Sequence, residues 1–555
     1  MVTVAQYISK FLKEKNINHV FGYQGGAVMQ IIDAISDKYI QNYHEQASAF
    51  CADGYSRANS EIGVAISTSG PGATNMITGI ANAYCDSIPV LYITGQDVSG
   101  NLDFSRKLRT NGYQDVNIVK MVEPVTKYAL TLNDAYKIRY ELEKCYYIAT
   151  TGRKGPVLID IPSDIQGCEI DETVLESYVP EQREVYEFDL KQIEVMLKTA
   201  KRPLILAGGG VKRSNSCKDL DEFSIRTSIP VVTTLNGRDS TSVAYGYSGV
   251  HGNVYANLAI KNADLIIALG TRFGIQQTSK NYSSYTNAKI IHVDIDPLEF
   301  NRTLKVDVNI QADAKEFLQK LNLIDFNLKI EDWLEVLNLW KNKYYDVNCI
   351  TAEGIEPVRF VRDFLSEYYF DVISTDVGQN QLWVAQGIDS LNSNQTYLTS
   401  SGLGSMGYSI PAAIGASYVK NNVVAFCGDG GLQMNLQELQ LISSKKLNIK
   451  IVIFNNKTLG KIKEMQMNKE PQNFVGTKES DFTCPDLCKI ADLYNLNYAK
   501  VENMNQIKDI KSIVEQDGPC IIDVKISNMA RLATKFDNDI LEREMIKCDN
   551  CFAFN

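Results

Sequence analysis

The chain has 555 residues, of which 45% are hydrophobic and 22% charged, a composition typical of a soluble globular protein. This length exceeds what one hydrophobic core supports and predicts about three or four domains. The net charge of −10 argues against a nucleic-acid partner, and no apolar run is long enough to cross a bilayer, which argues against a membrane role. Twelve scattered cysteines and no secretion signal favour a cytoplasmic location.

Short runs rich in Val, Ile and Leu alternate with helical patterns along the whole chain. In order, the runs are IGVAIST, IPVLYIT, GPVLIDI, RPLILAGGG, IPVVTT, ADLIIALG, AKIIHVDID, FDVISTD, NVVAFCG, IKIVIFNN and GPCIIDVKI. Unbroken apolar runs of this kind are typical of buried parallel strands. Their alternation with helices predicts an α/β fold built of doubly wound, mainly parallel sheets.

Two polar passages divide the chain. Residues 166–190 are charged and lack a strong period, as expected of a linker, and a charged helical passage covers about 314–356. We therefore predict three α/β domains at 1–165, 190–325 and 355–530. The tail at 531–555 has no core pattern.

Two strand ends in the third domain carry candidate metal ligands. VVAFCGDGG ends a predicted strand at Asp429, and IVIFNN ends the next one at Asn456. A strand–helix–strand crossover brings both carboxyl ends to one edge of the sheet, where ligands bind in doubly wound folds. Carboxylate and amide oxygens suit Mg²⁺, whose remaining ligands are often phosphate oxygens. Plain turns would explain the same residues, so this alternative stays open.

The first domain carries two further candidate features. Glu45 stands where a short strand meets a helix, and the segment SGPG at 69–72 is a glycine-rich turn between strand and helix. Each has an ordinary structural explanation, since a carboxylate in the first turn of a helix is stabilised by the helix dipole and a glycine-rich segment is often only a loop.

In combination these motifs resemble the thiamine-diphosphate enzymes, and among them the acetolactate synthase (acetohydroxyacid synthase large subunit) branch. The matching segments, in order along nearly the whole chain, are YQGGAVM, HEQASAFCADGYSR, TSGPGATN, DSIPVLYITGQ, GRKGPVLIDIPSDIQ, VHGNVYAN, HVDIDPLE, TDVGQNQLWVAQ, SGLGSMGYSIPAAIGA and CGDGGLQMNLQEL with the later NN. The family's Gly-Asp-Gly is followed after 24–27 residues by an Asn pair, and 24 residues lie between Gly430 and Asn455 here.

The resemblance implies a clamp for Mg²⁺ and diphosphate in the third domain. Asp429, Asn456 and the backbone oxygen of Thr458 would be the metal ligands. Residues that would hold the cofactor from this domain are Gly378, Gln379, Asn380, Gly402, Met406, Gly428, Asp429, Gly430, Gly431 and Asn456. Met406 would be the bulky apolar residue that keeps the cofactor bent.

The resemblance also implies catalytic roles in the first domain. Glu45 would contact the ring nitrogen of the aminopyrimidine and share the proton that lets the cofactor serve as its own base. Gly26 and Gln114 would lie near the reacting carbon and donate hydrogen bonds to oxyanions.

The middle domain resembles the FAD domain of the anabolic synthases through AGGGV, VHG, LGTRF and HVDID. Candidate FAD contacts are Arg153, Gly209, His251, Gly252, Gly270, Arg272 and Asp294. Relatives also keep this Rossmann-like domain without flavin, so both readings stay open.

The implied reaction is decarboxylation of pyruvate and transfer of the two-carbon acyl unit to a second carbonyl, with pyruvate as the leading acceptor and 2-acetolactate as product. The alternatives are a related carboligase or decarboxylase that uses another acceptor, such as a keto-sugar of polysaccharide biosynthesis or a proton, and a cofactor-binding protein without activity. Three departures from the synthases bear on this choice: Asn380 stands where they usually have His, Tyr113-Gln114-Asp115 replaces Phe-Gln-Glu, and Met465 replaces a Trp.

The family builds its active site from two chains, which implies a homodimer or homotetramer. The sequence alone does not distinguish these two states, and it leaves the presence of a regulatory small subunit open.

Overall fold

A computed structural model of the chain describes residues 1–104, 108–181, 187–280, 285–346, 349–350, 354–532, 540 and 543–546. The predicted tail at 531–555 therefore lies mostly outside the described residues. The strands form three six-stranded sheets, all of them parallel, and two short antiparallel pairs. Each of the eleven apolar runs contains a strand, and the predicted α/β fold of three doubly wound domains is confirmed.

The first domain contains one of the six-stranded sheets. Its elements are β1 (Val2–Thr3), α1 (Val4–Glu14), β2 (Val20–Tyr23), α2 (Met29–Ala34), β3 (Tyr39–Gln41), α3 (Glu45–Asn59), β4 (Gly63–Ser67), α4 (Pro71–Asn75), α5 (Ile77–Asp86), β5 (Val90–Gln96), α6 (Ile118–Val122), β6 (Tyr128–Thr131), α7 (Ile138–Thr150), β7 (Val157–Pro162), α8 (Ser163–Gln166) and β8 (Glu169–Ile170). The capping box of Thr3 and Gln6 starts α1, whose apolar face packs on the sheet.

The central domain follows after the polar linker. Its elements are α9 (Leu190–Thr199), β9 (Pro203–Ala207), α10 (Gly209–Arg213), α11 (Cys217–Thr227), β10 (Val231–Thr233), β11 (Ala244–Tyr247), α12 (Val254–Asn262), β12 (Leu265–Leu269), α13 (Ile275–Thr278), β13 (Lys289–Asp294), β14 (Val308–Gln311) and α14 (Ala314–Asn322). The charged passage then forms α15 (Glu331–Tyr344), which packs on the central core through Trp333 and Trp340, and β15 (Cys349–Ile350).

The third domain holds the last sheet. Its elements are α16 (Pro357–Glu367), β16 (Val372–Thr375), α17 (Gln379–Gly387), β17 (Thr396–Thr399), α18 (Ser409–Ser417), β18 (Val423–Gly428), α19 (Asp429–Met434), α20 (Leu439–Ser444), β19 (Ile449–Asn455), α21 (Gly460–Met467), α22 (Leu487–Leu493), β20 (Asn497–Val501), α23 (Gln506–Asp509), α24 (Lys511–Val514), β21 (Cys520–Lys525) and β22 (Arg531–Leu532). The domain boundaries derived from the sequence remain predictions.

The three sheets differ in strand order. The first runs β3-β2-β4-β5-β7-β6 and the third β17-β16-β18-β19-β21-β20, which is the same order within each domain, whereas the central sheet runs β11-β10-β9-β12-β13-β14. The chain therefore reverses direction across the first sheet between β2 and β4, across the central sheet between β9 and β12, and across the third between β16 and β18. Doubly wound sheets bind ligands at such reversal points.

Helices α3 and α18 join the first and third domains through backbone contact. A Cβ placed on Gly54 of α3 would lie 2.1 Å from the Ala412 carbonyl oxygen, and one on Gly415 of α18 would lie 1.8 Å from the Cys51 oxygen. No side chain fits either position, so a glycine from each helix permits the close approach. The buried residues of both helices form one continuous core.

No helix in the described part of the chain is long and apolar enough to span a bilayer.

Candidate active site and cofactor cavity

Asp429 and Asn456 lie in neighbouring loops at one edge of the third sheet. Each follows a strand, and β18 and β19 are paired in parallel, so both loops leave the sheet on the same side. The Lys457 N–H donates a hydrogen bond of 2.6 Å to Asp429 Oδ2, and the Thr458 N–H donates one of 3.2 Å to Asn456 Oδ1. The structure thus brings the three predicted metal ligands together in one loop cluster.

Two carboxylates are buried at this edge. Asp429 is 3% exposed and Asp376, which follows β16, is 1% exposed, and burial raises the pKa of each carboxyl group to about 6. In the part of the chain that the structure describes, neither carboxylate forms an ion pair, and no cluster of three His, Cys, Asp or Glu side chains could hold a metal alone. A cation bound here would need further ligands from outside the protein, such as phosphate oxygens.

Sequence reasoning missed Asp376. Its carboxylate accepts hydrogen bonds from the N–H groups of Gly407, at 3.0 Å, and Ser409, at 3.2 Å, and thereby fixes the loop that carries Met406. The sequence signal was available, because Asp376 follows an apolar strand just as Asp429 does.

Residues 378–380 form the turn from β16 into α17. Gly378 has a φ of +116°, a conformation that favours glycine. The Asn380 amide donates a hydrogen bond of 2.8 Å to the Asp376 backbone oxygen. Gln379 Nε2 donates to Glu464 Oε2 at 3.1 Å, while its buried Oε1 has no hydrogen-bond partner. An unpaired buried oxygen indicates that a donor or cation is missing at this position.

Gly430 and Gly431, which follow β18, lie so close to neighbouring residues that a larger side chain would collide with them. A Cβ on Gly430 would lie 2.7 Å from Leu459 Cδ2 and 3.5 Å from Met406 Cε, and one on Gly431 would lie 3.0 Å from Asp376 Oδ1. Gly428 precedes α19 as its N-cap. Met406 therefore lies beside the loop of Asp429, and its role toward a cofactor stays a prediction.

Glu45 is the first residue of α3 and is 9% exposed. Asn75 Nδ2 donates a hydrogen bond of 2.9 Å to Glu45 Oε2. A Cβ on Gly72 would lie 3.3 Å from Glu45 Oε1, so the glycine-rich turn at 69–72 packs directly on this carboxylate. Asn75 is a partner that sequence reasoning did not single out.

Gln114 contacts the glycine-rich turn from another side, and the residue after Gly26 bonds to Thr68 just before that turn. The N–H of Ala27, next to Gly26, donates a hydrogen bond of 3.2 Å to Thr68 Oγ1. Gln114 has a φ of +58°, and a Cβ on Gly70 would lie 2.7 Å from its backbone oxygen. Both Gly26 and Gln114 are exposed.

The predicted catalytic residues therefore form two sets within one chain. Glu45, Gly26 and Gln114 surround the turn at 69–72 in the first domain, whereas the metal and diphosphate residues cluster in the third domain. Among the described residues, no hydrogen bond or ion pair joins Glu45 to Asp429 or Asn456.

A cavity of about 570 Å³ opens where the central sheet reverses direction between β9 and β12. The predicted residues that line it are Arg153, Gly209, Gly270, Arg272, Asp294 and Gly402. Gly270 has a φ of +53°, and a Cβ there would lie 2.5 Å from the Gly210 Cα, so its backbone contacts the start of α10. Gly402, from the third domain, closes one side and donates its N–H to Asp86 Oδ1 at 2.9 Å.

Two of the predicted cationic residues of the cavity are held by local partners. Arg153 Nη1 lies 2.8 Å from both Asp296 Oδ2 and Glu299 Oε1. Arg272 Nη1 donates a hydrogen bond of 2.8 Å to the Cys85 oxygen. Burial raises the pKa of Asp294 to about 6. The lining thus combines cations with a buried carboxyl group, a set suited to a ligand with both anionic and hydroxyl groups.

His251 and Gly252 do not line this cavity. The His251 Nε2 atom lies 3.0 Å from Lys461 Nζ of α21, and a Cβ on Gly252 would lie 2.6 Å from the Tyr247 backbone oxygen. The structure therefore separates these two residues from the other five candidate FAD contacts.

The sequence matches three family models in the order of the three sheets. Residues 2–121 match the thiamine pyrophosphate enzyme N-terminal TPP binding domain, 190–321 the central domain and 376–524 the C-terminal TPP binding domain. The chain therefore belongs to the thiamine pyrophosphate enzymes, as the resemblance predicted.

Within that family, the chain is similar to acetolactate synthase large subunits. It is 36% identical to the probable large subunit of Methanocaldococcus jannaschii, over 94% of this chain and 91% of the relative. It is 34% identical to that of Lactococcus lactis, over 98% and 96%, and 33% identical to that of isozyme 2 of Escherichia coli, over 95% and 96%. The chain belongs to the same family as these proteins over nearly its whole length.

Proposed function

We propose that this chain is a thiamine-diphosphate- and Mg²⁺-dependent carboligase that decarboxylates one pyruvate and transfers the remaining two-carbon acyl unit to a second pyruvate, giving 2-acetolactate and CO₂. The observation that carries the proposal is the pairing of Asp429 with the Asn456–Thr458 turn at the carboxyl ends of the adjacent strands β18 and β19 in a thiamine pyrophosphate binding domain. Relatives named acetolactate synthase that align over nine tenths of the chain support this reaction.

Mg²⁺ would bind Asp429, Asn456 and the backbone oxygen of Thr458. The residues fit a divalent cation because the Asp429 carboxylate is buried without a protein cation among the described residues. Gly378, Gln379, Asn380 and the glycines 428, 430 and 431 would bind the cofactor's diphosphate. Two observations support this assignment. Gln379 Oε1 is buried without a hydrogen-bond partner, and the glycines carry no side chain that would fill the space beside the Asp429 loop.

When bound, thiamine diphosphate would supply an acidic ring carbon, which is nucleophilic toward 2-keto acids once deprotonated, and a cationic thiazolium ring that can take up the electron pair left behind by CO₂. Glu45 would hold the proton exchanged with the aminopyrimidine, and Asn75 fixes its carboxylate by a hydrogen bond. Met406 would support the bent cofactor from beside the Asp429 loop. The Gly26 backbone and the Gln114 amide would donate hydrogen bonds to oxyanions of the substrates.

FAD is part of the proposal, as the ligand of the 570 Å³ cavity. Support comes from the strand order 3-2-1-4-5-6 of the central sheet, which is that of dinucleotide-binding folds, and from glycines 209 and 270 at its reversal point. Arg153, Arg272, Asp294 and Gly402 are the further contacts that we assign. His251 and Gly252 would contribute only indirectly, since they lie outside the lining.

We further propose a homodimer or homotetramer. Gly26 and Gln114 are exposed in one chain, and within the described ranges no hydrogen bond or ion pair joins Glu45 to Asp429 or Asn456, which supports completion of each site by a second chain. The name "large subunit" of the relatives supports a regulatory partner for this chain as well. A cytoplasmic location is supported by nine described cysteines, all without a disulfide, four of them buried.

Incubation of the protein with pyruvate, Mg²⁺ and thiamine diphosphate, followed by NMR, tests the function. We expect 2-acetolactate, and none from Asp429→Ala. Acetaldehyde as the main product would show a decarboxylase instead. Turnover that appears only after a keto-sugar is added would show that the acceptor is not pyruvate.

A further inference from the structure

Glu438 reaches from the third domain to the segment that carries Glu45. It ends the 3₁₀ turn Leu436–Glu438 between α19 and α20, and its side chain is fully buried. Its Oε1 accepts a hydrogen bond from the Tyr43 N–H and its Oε2 accepts one from Asn42 Nδ2, each 2.9 Å long. Because Tyr43 is separated from Glu45 by one residue only, this contact lies directly before the start of α3.

Residues 42–44, the loop between β3 and α3, are otherwise held, in the described part of the chain, only by hydrogen bonds from within the first domain. Gln41 Nε2 donates to the Asn42 oxygen at 2.7 Å, Asn42 Nδ2 also donates to Cys51 Sγ at 3.3 Å, and the Ser48 N–H donates to the His44 oxygen at 3.0 Å. The Asn42 N–H donates to the Gly22 oxygen at 2.8 Å and so continues the strand pairing, while the His44 ring accepts from the Gln46 N–H at 3.0 Å and caps α3. Among the described residues, Glu438 is the only third-domain side chain that forms a hydrogen bond to this loop. Its carboxylate therefore decides where loop 42–44 stands relative to the third domain.

The turn that carries Glu438 is itself tied to the cofactor loops. Asn435 Nδ2 donates a hydrogen bond of 2.8 Å to the Gly407 oxygen, and the Gly407 N–H donates one of 3.0 Å to Asp376. Gly407 is the residue after Met406. One connected set of hydrogen bonds thus runs from the cofactor loops of the third domain, through Glu438, to the start of the Glu45 helix.

We propose that Glu438 is a positioning residue: by holding loop 42–44 it sets the location of the Glu45 carboxylate for proton exchange with the aminopyrimidine of thiamine diphosphate. The inference rests on the proposed function, because Glu45 has this task only in an enzyme that uses that cofactor. Loss of the Glu438 carboxylate leaves the Tyr43 N–H without its acceptor and the buried Asn42 amide with only the Cys51 sulfur, and so removes the link between this loop and the third domain. Small displacements of a catalytic group can cost large factors in rate.

The test measures deuterium exchange at the reactive ring carbon of bound thiamine diphosphate by NMR, with Mg²⁺ and without pyruvate. Glu438→Ala is expected to slow exchange per bound cofactor roughly 10- to 100-fold. The Kd for thiamine diphosphate should change little, because Asp429 and Gln379 are untouched. A merely structural role would lower the melting temperature and cofactor occupancy but leave the exchange rate of the bound cofactor unchanged, and that result would overturn the proposal.

Two further variants sharpen the comparison. Glu438→Gln should recover most of the exchange rate. The side-chain oxygen of Gln can still accept a hydrogen bond from the Tyr43 N–H. The Asn42 amide can rotate so that its unpartnered Oδ1 accepts a hydrogen bond from the new NH₂ group. Gln437→Ala is the matched control, since the Gln437 side chain bonds only Asn435 Oδ1 within its own domain, at 3.2 Å. Thiamine diphosphate bound to Gln437→Ala should exchange deuterium at the wild-type rate.

The Glu45→Gln variant separates this inference from the proposed function. If Glu45→Gln exchanges as fast as the wild type, the role of Glu45 fails. If Glu45→Gln stops exchange while Glu438→Ala does not slow it, only the positioning role fails. Should Glu438→Ala not fold, Asn42→Ala removes one of the two donors and is expected to slow exchange, and an unchanged rate there overturns the inference.

Discussion

The Tyr408 hydroxyl donates a hydrogen bond of 2.6 Å to Asp53 Oδ1 and thereby joins the third domain to helix α3 of the first. Arg57 Nε lies 2.7 Å from the same carboxylate, and Arg57 Nη2 lies 3.0 Å from Asp86 Oδ2. All four side chains are buried. Arg57 is the ion-pair partner of Asp53 among the described residues, whereas Asp86 is also paired with Arg272, whose Nη2 lies 3.9 Å from Asp86 Oδ1.

Arg57→Met should therefore destabilise the protein strongly. It leaves Asp53 buried without its cation and Asp86 with only the more distant Arg272, and breaking a buried ion pair typically costs about 3–5 kcal/mol. Urea unfolding of the cofactor-free protein measures the effect. Lys120→Met is the control, because the Lys120–Glu123 pair is exposed and worth less than about 1 kcal/mol. Equal unfolding midpoints for the two variants would contradict the importance of this network.

Asp429→Asn should stabilise the metal-free and cofactor-free protein at neutral pH. Burial raises the folded-state pKa of Asp429 to about 6 from an unfolded value of 3.8. The group therefore supports folding below the unfolded pKa, and that contribution is lost as the pH rises through about 6. The uncharged Asn avoids this loss. The free energy of unfolding of the variant should therefore equal that of the wild type near pH 4 and exceed it by about 3 kcal/mol above pH 7.

Urea titrations of both proteins across this pH range, without Mg²⁺, measure the difference. Addition of Mg²⁺ and thiamine diphosphate should make the wild type the more stable of the two proteins, because only the wild type retains the carboxylate ligand. A variant that is less stable than the metal-free wild type at pH 8 would contradict the view of Asp429 as an uncompensated buried charge.

Glu45→Gln should abolish turnover of pyruvate and leave Mg²⁺-dependent binding of thiamine diphosphate largely intact. The amide oxygen of Gln can still accept from Asn75, so the local structure is preserved, but it cannot hold the exchanged proton. Activity assays and cofactor titration measure the two effects separately. Full activity in this variant would remove Glu45 from the mechanism.

Gly270→Ala should reduce retention of FAD, measured as the ratio of flavin absorbance to protein after purification. The φ of +53° strains any other residue, and the new Cβ would collide with Gly210 at the start of α10. Gly274→Ala is the matched control: Gly274 also lines the cavity, but nothing lies within 4 Å of a Cβ there. Colourless wild-type protein that takes up no added FAD would reject the flavin proposal itself.

The proximity of Asp429 to Asn456 could be predicted from the sequence because one local rule governs it. A right-handed crossover between adjacent parallel strands brings the residues after each strand to the same edge, whatever the rest of the chain does. Asp429 and Asn456 follow that rule, and the apolar runs fixed which strands are buried. The same rule applied to FDVISTD would have found Asp376.

Contacts between domains could not be predicted in this way. Glu438 and Tyr43 are 395 positions apart, and no pattern near either residue encodes the other. The positive φ of Gln114 results from packing against the turn at Gly70 and has no sequence signature. The VHG motif indicated flavin contacts, whereas His251 lies against Lys461 of another domain, because the orientation of one domain on the next is set by their whole shared surface.

The glycine contacts between α3 and α18 limit how this enzyme can admit its substrates. Gly54 and Gly415 bring two backbones together with no side chain between them, so a hinge that opened the first domain from the third would break the closest-packed contact of that interface. A mutation that separated these two helices would therefore displace Glu45, the first residue of α3, together with the interface itself.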